Sequence, residues 1–216
     1  MNKIEIKKHK GCSANAYETE MFFIDGKPLY EYIIEWYKLQ NCLPEDIPFA
    51  PVDMLDITWT NEYDFEGDAR FMKYILEKDS AITPILSCPD DFDFSCIIIV
   101  AEVMKYDKSV VWKRLGRVNH SGEDFEEEKR SGILYLESYT EEDWDMYGDN
   151  IALENVDSYE WREWISKNWS EELYRRRVNY TFPYYQNEKN IIWFAECNFE
   201  FDRTEYDSII EKCYAE

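Results

Sequence analysis

Apolar residues recur along this chain with two different periods, and the switching between them predicts a mixed architecture. Met21-Phe22-Phe23-Ile24 is a compact apolar run that stops at Asp25-Gly26-Lys27, a strand running into a turn. Pro28 comes next, where a first helical residue is favoured because its missing N–H would have no intrahelical partner. Tyr30, Ile33, Ile34 and Tyr37 then recur at i, i+3, i+4 and i+7, the apolar face of a helix. The three prolines between Leu43 and Pro51 predict a loop. Ile57-Thr58-Trp59 reads as a short strand, and Asp68 as the cap of a helix whose inner face is Phe71, Met72, Ile75 and Leu76.

The centre of the chain is its most strand-like part. Phe94 to Val103 is a nearly continuous β-branched run, the pattern of a strand covered on both faces, and is expected to be central. Tyr106 to Ser109 is a turn, and Val110 to Val118 returns as an antiparallel partner. Ile97, Ile99 and Val111 are therefore expected to be buried in neighbouring strands. Ile133 to Leu136 is a further strand. Thr140-Glu141-Glu142-Asp143 has capping-box spacing and opens a short helix carrying Trp144 and Tyr147. Asp157 to Glu160 starts the longest helix, with Trp161, Trp164, Ile165 and Trp169 on one side. Ile191 to Phe201 is a strand, and Thr204 is read as the cap of a last helix through Tyr206, Ile209, Ile210 and Cys213. Without a βαβ rhythm or a glycine-rich phosphate loop, the pattern specifies an α+β fold with a largely antiparallel central sheet packed by several helices. The length and the lack of an internal linker make residues 1–216 a single domain.

Composition changes this picture in one respect. The chain carries 46 Asp and Glu against 24 Lys and Arg, a net charge of -22, yet 17% of it is aromatic. Charge of that size favours disorder, and the aromatic area is what offsets it with a core. An acidic surface repels nucleic acid and anionic membrane and attracts basic partners. The longest apolar run, Cys96 to Ala101, is far short of the roughly 20 residues needed to cross a bilayer. The charged stretch Met1 to Lys10 lacks the apolar segment of a signal peptide. Cys12, Cys42, Cys88, Cys96, Cys197 and Cys213 have no tight spacing and are expected to be reduced thiols of a cytoplasmic protein, with Cys96 and Cys197 in the core.

Candidate chemistry is sparse. The two histidines, His9 and His120, have no flanking nucleophile motif and read as surface residues; no Gly-x-Ser-x-Gly, His-Glu-x-x-His or Walker loop is present. Asp64-Phe65-Glu66-Gly67-Asp68 has its glycine too early for a calcium loop and reads as a turn and helix cap. Asp90, Asp91 and Asp93 follow Pro89 in ordinary turn chemistry, so a solvated turn is preferred over a metal site. Arg175-Arg176-Arg177 ahead of Tyr180, Phe182, Tyr184 and Tyr185 has a base-stacking composition. With the net charge at -22, these arginines are expected instead to neutralise nearby carboxylates and to complement a helix C-terminus. No enzymatic activity, cofactor or metal is expected.

This profile of an acidic, aromatic-rich α+β chain without a catalytic motif resembles the immunity proteins of bacterial polymorphic and contact-dependent toxin systems. The resemblance implies stoichiometric binding and neutralisation of a basic cognate toxin, for example a nuclease-type toxin domain, with neither nucleic acid nor membrane as a partner. Two runs of acidic residues flank the strand expected at Ile133 to Leu136. Glu123, Asp124, Glu126, Glu127 and Glu128 form one; Glu141, Glu142 and Asp143 form the other. Tyr139, Trp144 and Tyr147 are the nearest aromatic anchors, and together these residues make the candidate partner-binding face. Two other readings stay open: an acidic adaptor for another basic protein, and a carboxylate-based enzyme or small-ligand-binding protein.

Overall fold

A computed structural model describes residues 1–11, 18–39, 52–63, 65–89, 94, 97–119, 141, 167 and 169–214. Helices and antiparallel sheets build an α+β fold. The chain opens with strands β1 (Ile4–Lys10), β2 (Glu18–Ile24) and β3 (Lys27–Pro28), which form a three-stranded sheet in that order. The turn between β2 and β3 is Asp25-Gly26, with φ of 53° and 80°. Positive φ at both positions is what a two-residue hairpin loop requires, and Asp-Gly supplies it at low cost. The Asp25 carboxylate also accepts from Asn2 Nδ2 at 2.7 Å and Lys3 N at 2.8 Å; these two bonds hold its carboxyl below the usual range. Pro28 is the last residue of β3, opposite Phe23, so helix α1 (Leu29–Leu39) starts one residue later than its pattern indicates.

The second sheet has five strands in sequence order: β4 (Asp56–Ile57), β5 (Ser80–Ser87), β6 (Ile98–Lys105), β7 (Ser109–Val118) and β8 (Ile191–Asp202). All pairings are antiparallel. The β-branched run is central as expected, with Ile98 to Ala101 buried in succession, which needs cover on both faces. It is shifted along the chain, however. Phe94 leaves the strand to stack on Tyr63 at 5.4 Å and meet Phe71 edge-on at 5.1 Å, so Ile97 precedes β6 and is only half-buried. Val111 is half-buried too, because the alternation of β7 turns Val110 and Trp112 inward. Ile99 is buried as expected.

Helix α2 (Glu66–Leu76) buries the expected face of Phe71, Met72, Ile75 and Leu76. Asp68 is not its cap. Phe65 holds that position, and Asp68 lies within the first turn, fully buried against Arg177, whose Nε donates to Oδ1 at 2.7 Å and whose Nη2 reaches Oδ2 at 3.4 Å. Arg177 opens a π-helical turn (Arg177–Thr181) that joins α3 (Ser170–Arg176) to α4 (Phe182–Gln186). The arginine triplet thus neutralises carboxylates, as its composition indicates, with Arg175 and Arg176 both on Glu172. It does not close a helix; the backbone runs on through the π turn. Trp169 is buried at the start of α3, and Glu141 and Lys167 are helical and exposed. The strand expected at 133–136 and the rest of the helices expected from Thr140 and Asp157 lie outside the described residues, as do the loop at 43–51 and Cys96.

Because β4 covers β5 only at Leu86 and Ser87, the upstream edge of β5 needs another partner. Gln186 provides it, accepting from Ile82 N at 2.8 Å and donating to Ile82 O at 2.9 Å. Helix α5 (Arg203–Cys213) is capped by Asp202, which accepts from Thr204 N at 2.9 Å and Glu205 N at 3.1 Å; Thr204 lies inside the first turn. This helix is locked to β7 by a buried hydrogen bond in which Trp112 Nε1 donates to Tyr206 Oη at 2.9 Å. Around it pack Phe22 of β2, Trp59 and Phe201, so both sheets and α5 share one aromatic core. No helix among the described residues is long and apolar enough to cross a membrane.

Two outcomes follow from these buried polar contacts. Tyr206→Phe, which keeps the ring and strands the Trp112 N–H, is expected to cost about 1–3 kcal/mol by chemical denaturation. Arg177→Met is expected to cost about 3–5 kcal/mol because it leaves Asp68 charged and buried, and pairing it with Asp68→Leu is expected to restore much of that loss.

Candidate functional site

The free edge of β2 sets the site. On the side away from β1, β2 is paired with β3 only at Phe23 and Ile24, so the Glu20 N–H needs an acceptor from elsewhere. Asp56, the first residue of β4, supplies it: its Oδ1 accepts from Glu20 N at 2.9 Å and from Ile57 N at 2.8 Å. One carboxylate oxygen thereby joins the two sheets. Downstream, Thr58 N donates to Ile85 O at 3.1 Å and Trp59 Nε1 to Pro84 O at 3.0 Å, which hold the chain along β5. A tight turn follows, with Glu62 N donating to Thr60 Oγ1 at 3.1 Å, and Asn61 Nδ2 reaches Tyr214 O at 3.4 Å just past α5.

Between these elements lies a cleft of about 900 Å³. Ile4 and Ile6 of β1, Ile57 of β4 with Trp59 just beyond it, and Ile209 of α5 give it apolar walls. Its charged groups are Glu5, Glu18, Glu20, Asp56 and Glu62 against Lys8 and Lys212. Some of these are matched locally: Glu5 bridges Lys3 and Lys7, and Lys8 lies 3.5 Å from Glu18. Glu20, Asp56 and Glu62 form no ion pair among the described residues, and the cleft keeps a local excess of negative charge. The Asp56 carboxyl registers it. Burial is the main cause that pushes it up to about 6; Glu20 and Glu62 add to the shift, against the lowering effect of the two backbone N–H groups. The Cys213 thiol in the same wall is pushed up to about 11 by burial and stays protonated at neutral pH.

Of the face expected to bind a partner, Glu141 alone is described, helical and exposed. Glu123, Asp124, Glu126, Glu127, Glu128, Tyr139, Glu142, Asp143, Trp144 and Tyr147 lie outside the described residues, as do His120, Asp90, Asp91 and Asp93. His9 is no free surface residue: its ring sits 5.0 Å from Tyr30 and 6.2 Å from Phe23. Cys88, Cys197 and Cys213 are free thiols, and Cys197 is half-buried, its Sγ donating to Trp112 O at 3.1 Å. Among the described residues, no three His, Cys, Asp or Glu side chains are grouped to hold a metal. Glu20, Asp56 and Glu62 escape a sequence reading because each is an ordinary acidic residue beside a strand or turn, and only the docking of β2 on β4 brings them together.

Comparison of the chain with protein families, with curated proteins and with solved structures finds no match in any of the three.

The raised Asp56 carboxyl sets a stability profile. In the folded protein Asp56 binds its proton more tightly than in the unfolded chain, so its ionisation costs stability that accumulates as pH rises from about 4 to about 6 and stays constant above. Asp56→Asn keeps an acceptor for Glu20 N and removes the charge. Its melting temperature is expected to exceed that of the parent at pH 7.5 and to match it near pH 4, as thermal melts across that range will show.

Proposed function

We propose that this protein is an immunity-type inhibitor that neutralises a basic toxin protein, such as a nuclease-type domain, by stoichiometric contact in the cytoplasm. The observation that carries the reading is the combination of a net charge of -22 with a concave acidic site where β1, β2, β4 and α5 meet. A surface this negative steers a cationic protein toward it, which raises the association rate more than it slows release. Specificity then has to come from shape and from desolvated contacts, and the cleft between β1, β2, β4 and α5 offers both. The acidic runs from Glu123 to Glu128 and from Glu141 to Asp143 extend the negative field in this reading and contribute mainly to steering.

The test is co-expression with the products of neighbouring genes, followed by pull-down and binding kinetics at several salt concentrations. A basic partner is expected, with an association rate that falls at least tenfold between 0.01 M and 0.3 M salt as screening shortens the reach of the field from about 30 Å to under 10 Å. Reversing Glu126, Glu127, Glu141 and Glu142 to lysine is expected to slow association with little effect on dissociation. Recovery of no basic partner, or association indifferent to salt, overturns the proposal.

A further inference from the structure

We infer that the cleft between β1, β2, β4 and α5 receives one lysine or arginine side chain from the basic protein partner, with Asp56 as the acceptor of its charged head. This assignment rests on the proposed function for its partner and adds the chemistry of the contact. Long cationic side chains need two things from a binding groove: apolar surface along the methylene stem and an anionic group where the stem ends. The cleft supplies both. Ile6 and Ile209, both half-buried, offer that apolar surface, and the buried Ile57 and Trp59 back the wall, Trp59 held by the hydrogen bond to Pro84 O. Asp56 is placed without freedom to follow solvent, since two backbone N–H groups converge on its Oδ1. A positioned carboxylate loses little entropy on meeting a cation, unlike an exposed pair of long side chains.

Charge around Asp56 argues for the same occupant. β2 brings Glu18 and Glu20, and the turn after β4 brings Glu62. β1 brings Glu5, already bridged to Lys3 and Lys7, and Lys8, already beside Glu18. From α5 come Lys212 and the protonated Cys213, and the Lys212 ammonium forms no ion pair with any of these carboxylates among the described residues. Asp56 with its like-charged neighbours Glu20 and Glu62 is thus a partly desolvated group in want of a counter-ion; burial is the main reason its carboxyl is raised to about 6, and a cation inserted there offsets that lost solvation together with the smaller repulsion from the two glutamates. Binding should therefore strengthen as pH rises through 6, where the carboxylate forms unaided. A neutral apolar side chain of equal length would fill the walls and leave that repulsion in place.

The experiment uses the full chain and three blocked amino acids: N-acetyl-lysine methylamide, N-acetyl-arginine methylamide and N-acetyl-norleucine methylamide. Amide chemical shifts are followed by NMR, with the Glu20 and Ile57 N–H groups as reporters because both bond to Asp56. The lysine or arginine compound is expected to shift these two amides saturably at pH 7.5. Affinity is expected to fall at least tenfold in Asp56→Asn, at least tenfold on lowering the pH to 5 in the parent, and severalfold in Glu62→Gln, with norleucine ineffective. Equal binding by Asp56→Asn, equal binding of norleucine, or shifts confined to other amides would overturn the assignment. A separate measurement keeps this distinct from the broader reading. If a basic partner is captured and its Kd is the same for parent and Asp56→Asn, the cleft assignment falls and the inhibitor proposal stands. If the cationic compounds bind here but no basic protein is captured, the inhibitor proposal falls and takes the protein origin of the side chain with it.

Discussion

The hydrogen bond from Trp112 to Tyr206 is the contact on which the arrangement of the molecule turns. An indole N–H buried in an aromatic core must find an acceptor, and the phenol of α5 is the one within reach, at 2.9 Å. That requirement docks α5 on β7 and brings Tyr206 against Trp59 at 5.4 Å and Phe201 at 5.9 Å. Phe22 completes the cluster from the other sheet, 4.8 Å from Trp59 and 5.4 Å from Trp112. The Tyr206–Phe201 pair is stacked and the others meet edge to face, and such pairs add about 0.5–1.5 kcal/mol each beyond their buried area. Once α5 is held there, its last turn, with Ile209, Lys212 and Cys213, stands as one wall of the acidic cleft.

Asp56 links that frame to the charge of the chain. It works as a structural acceptor, closing the gap between β2 and β4, and that work keeps a carboxylate where burial and two glutamates oppose its ionisation. A group whose charge is disfavoured in the free protein and favoured beside a cation is a device for coupling binding to electrostatics. In the inhibitor role proposed above, the long-range field would act on association and the local contact at Asp56 on dissociation.

The buried arginines show how the same composition is managed in the interior. Arg176 and Arg177 are both 3% exposed, each facing a carboxylate and an aromatic ring: Glu172 and Trp169 for one, Asp68 and Phe94 for the other. Guanidinium suits such places, since its planar fork matches a carboxylate while its face stacks on a ring. The pair between Asp68 and Arg177 ties α2 to the π turn and fixes the helical layer beside β5.

Much of this was written in local pattern. The β2–β3 turn at Asp25-Gly26, the apolar faces of α1 and α2, the antiparallel return of β7 on β6 and the strand from Ile191 all follow from period, turn chemistry and β-branching, which act over a few residues. The net charge is likewise a property of composition. Tertiary structure decided what depends on distant residues meeting. Asp68 has the look of a cap, but Arg177 lies 109 positions along the chain, so its burial as an ion pair has no local signature. Phe94 continues a strand-like run, yet Tyr63 and Phe71 draw its ring away from the sheet. The cleft is the clearest case. Glu20, Asp56 with Glu62, and Lys212 come from three separate segments, and nothing in the residues around any of them encodes the free β2 edge and the docked α5 that assemble them.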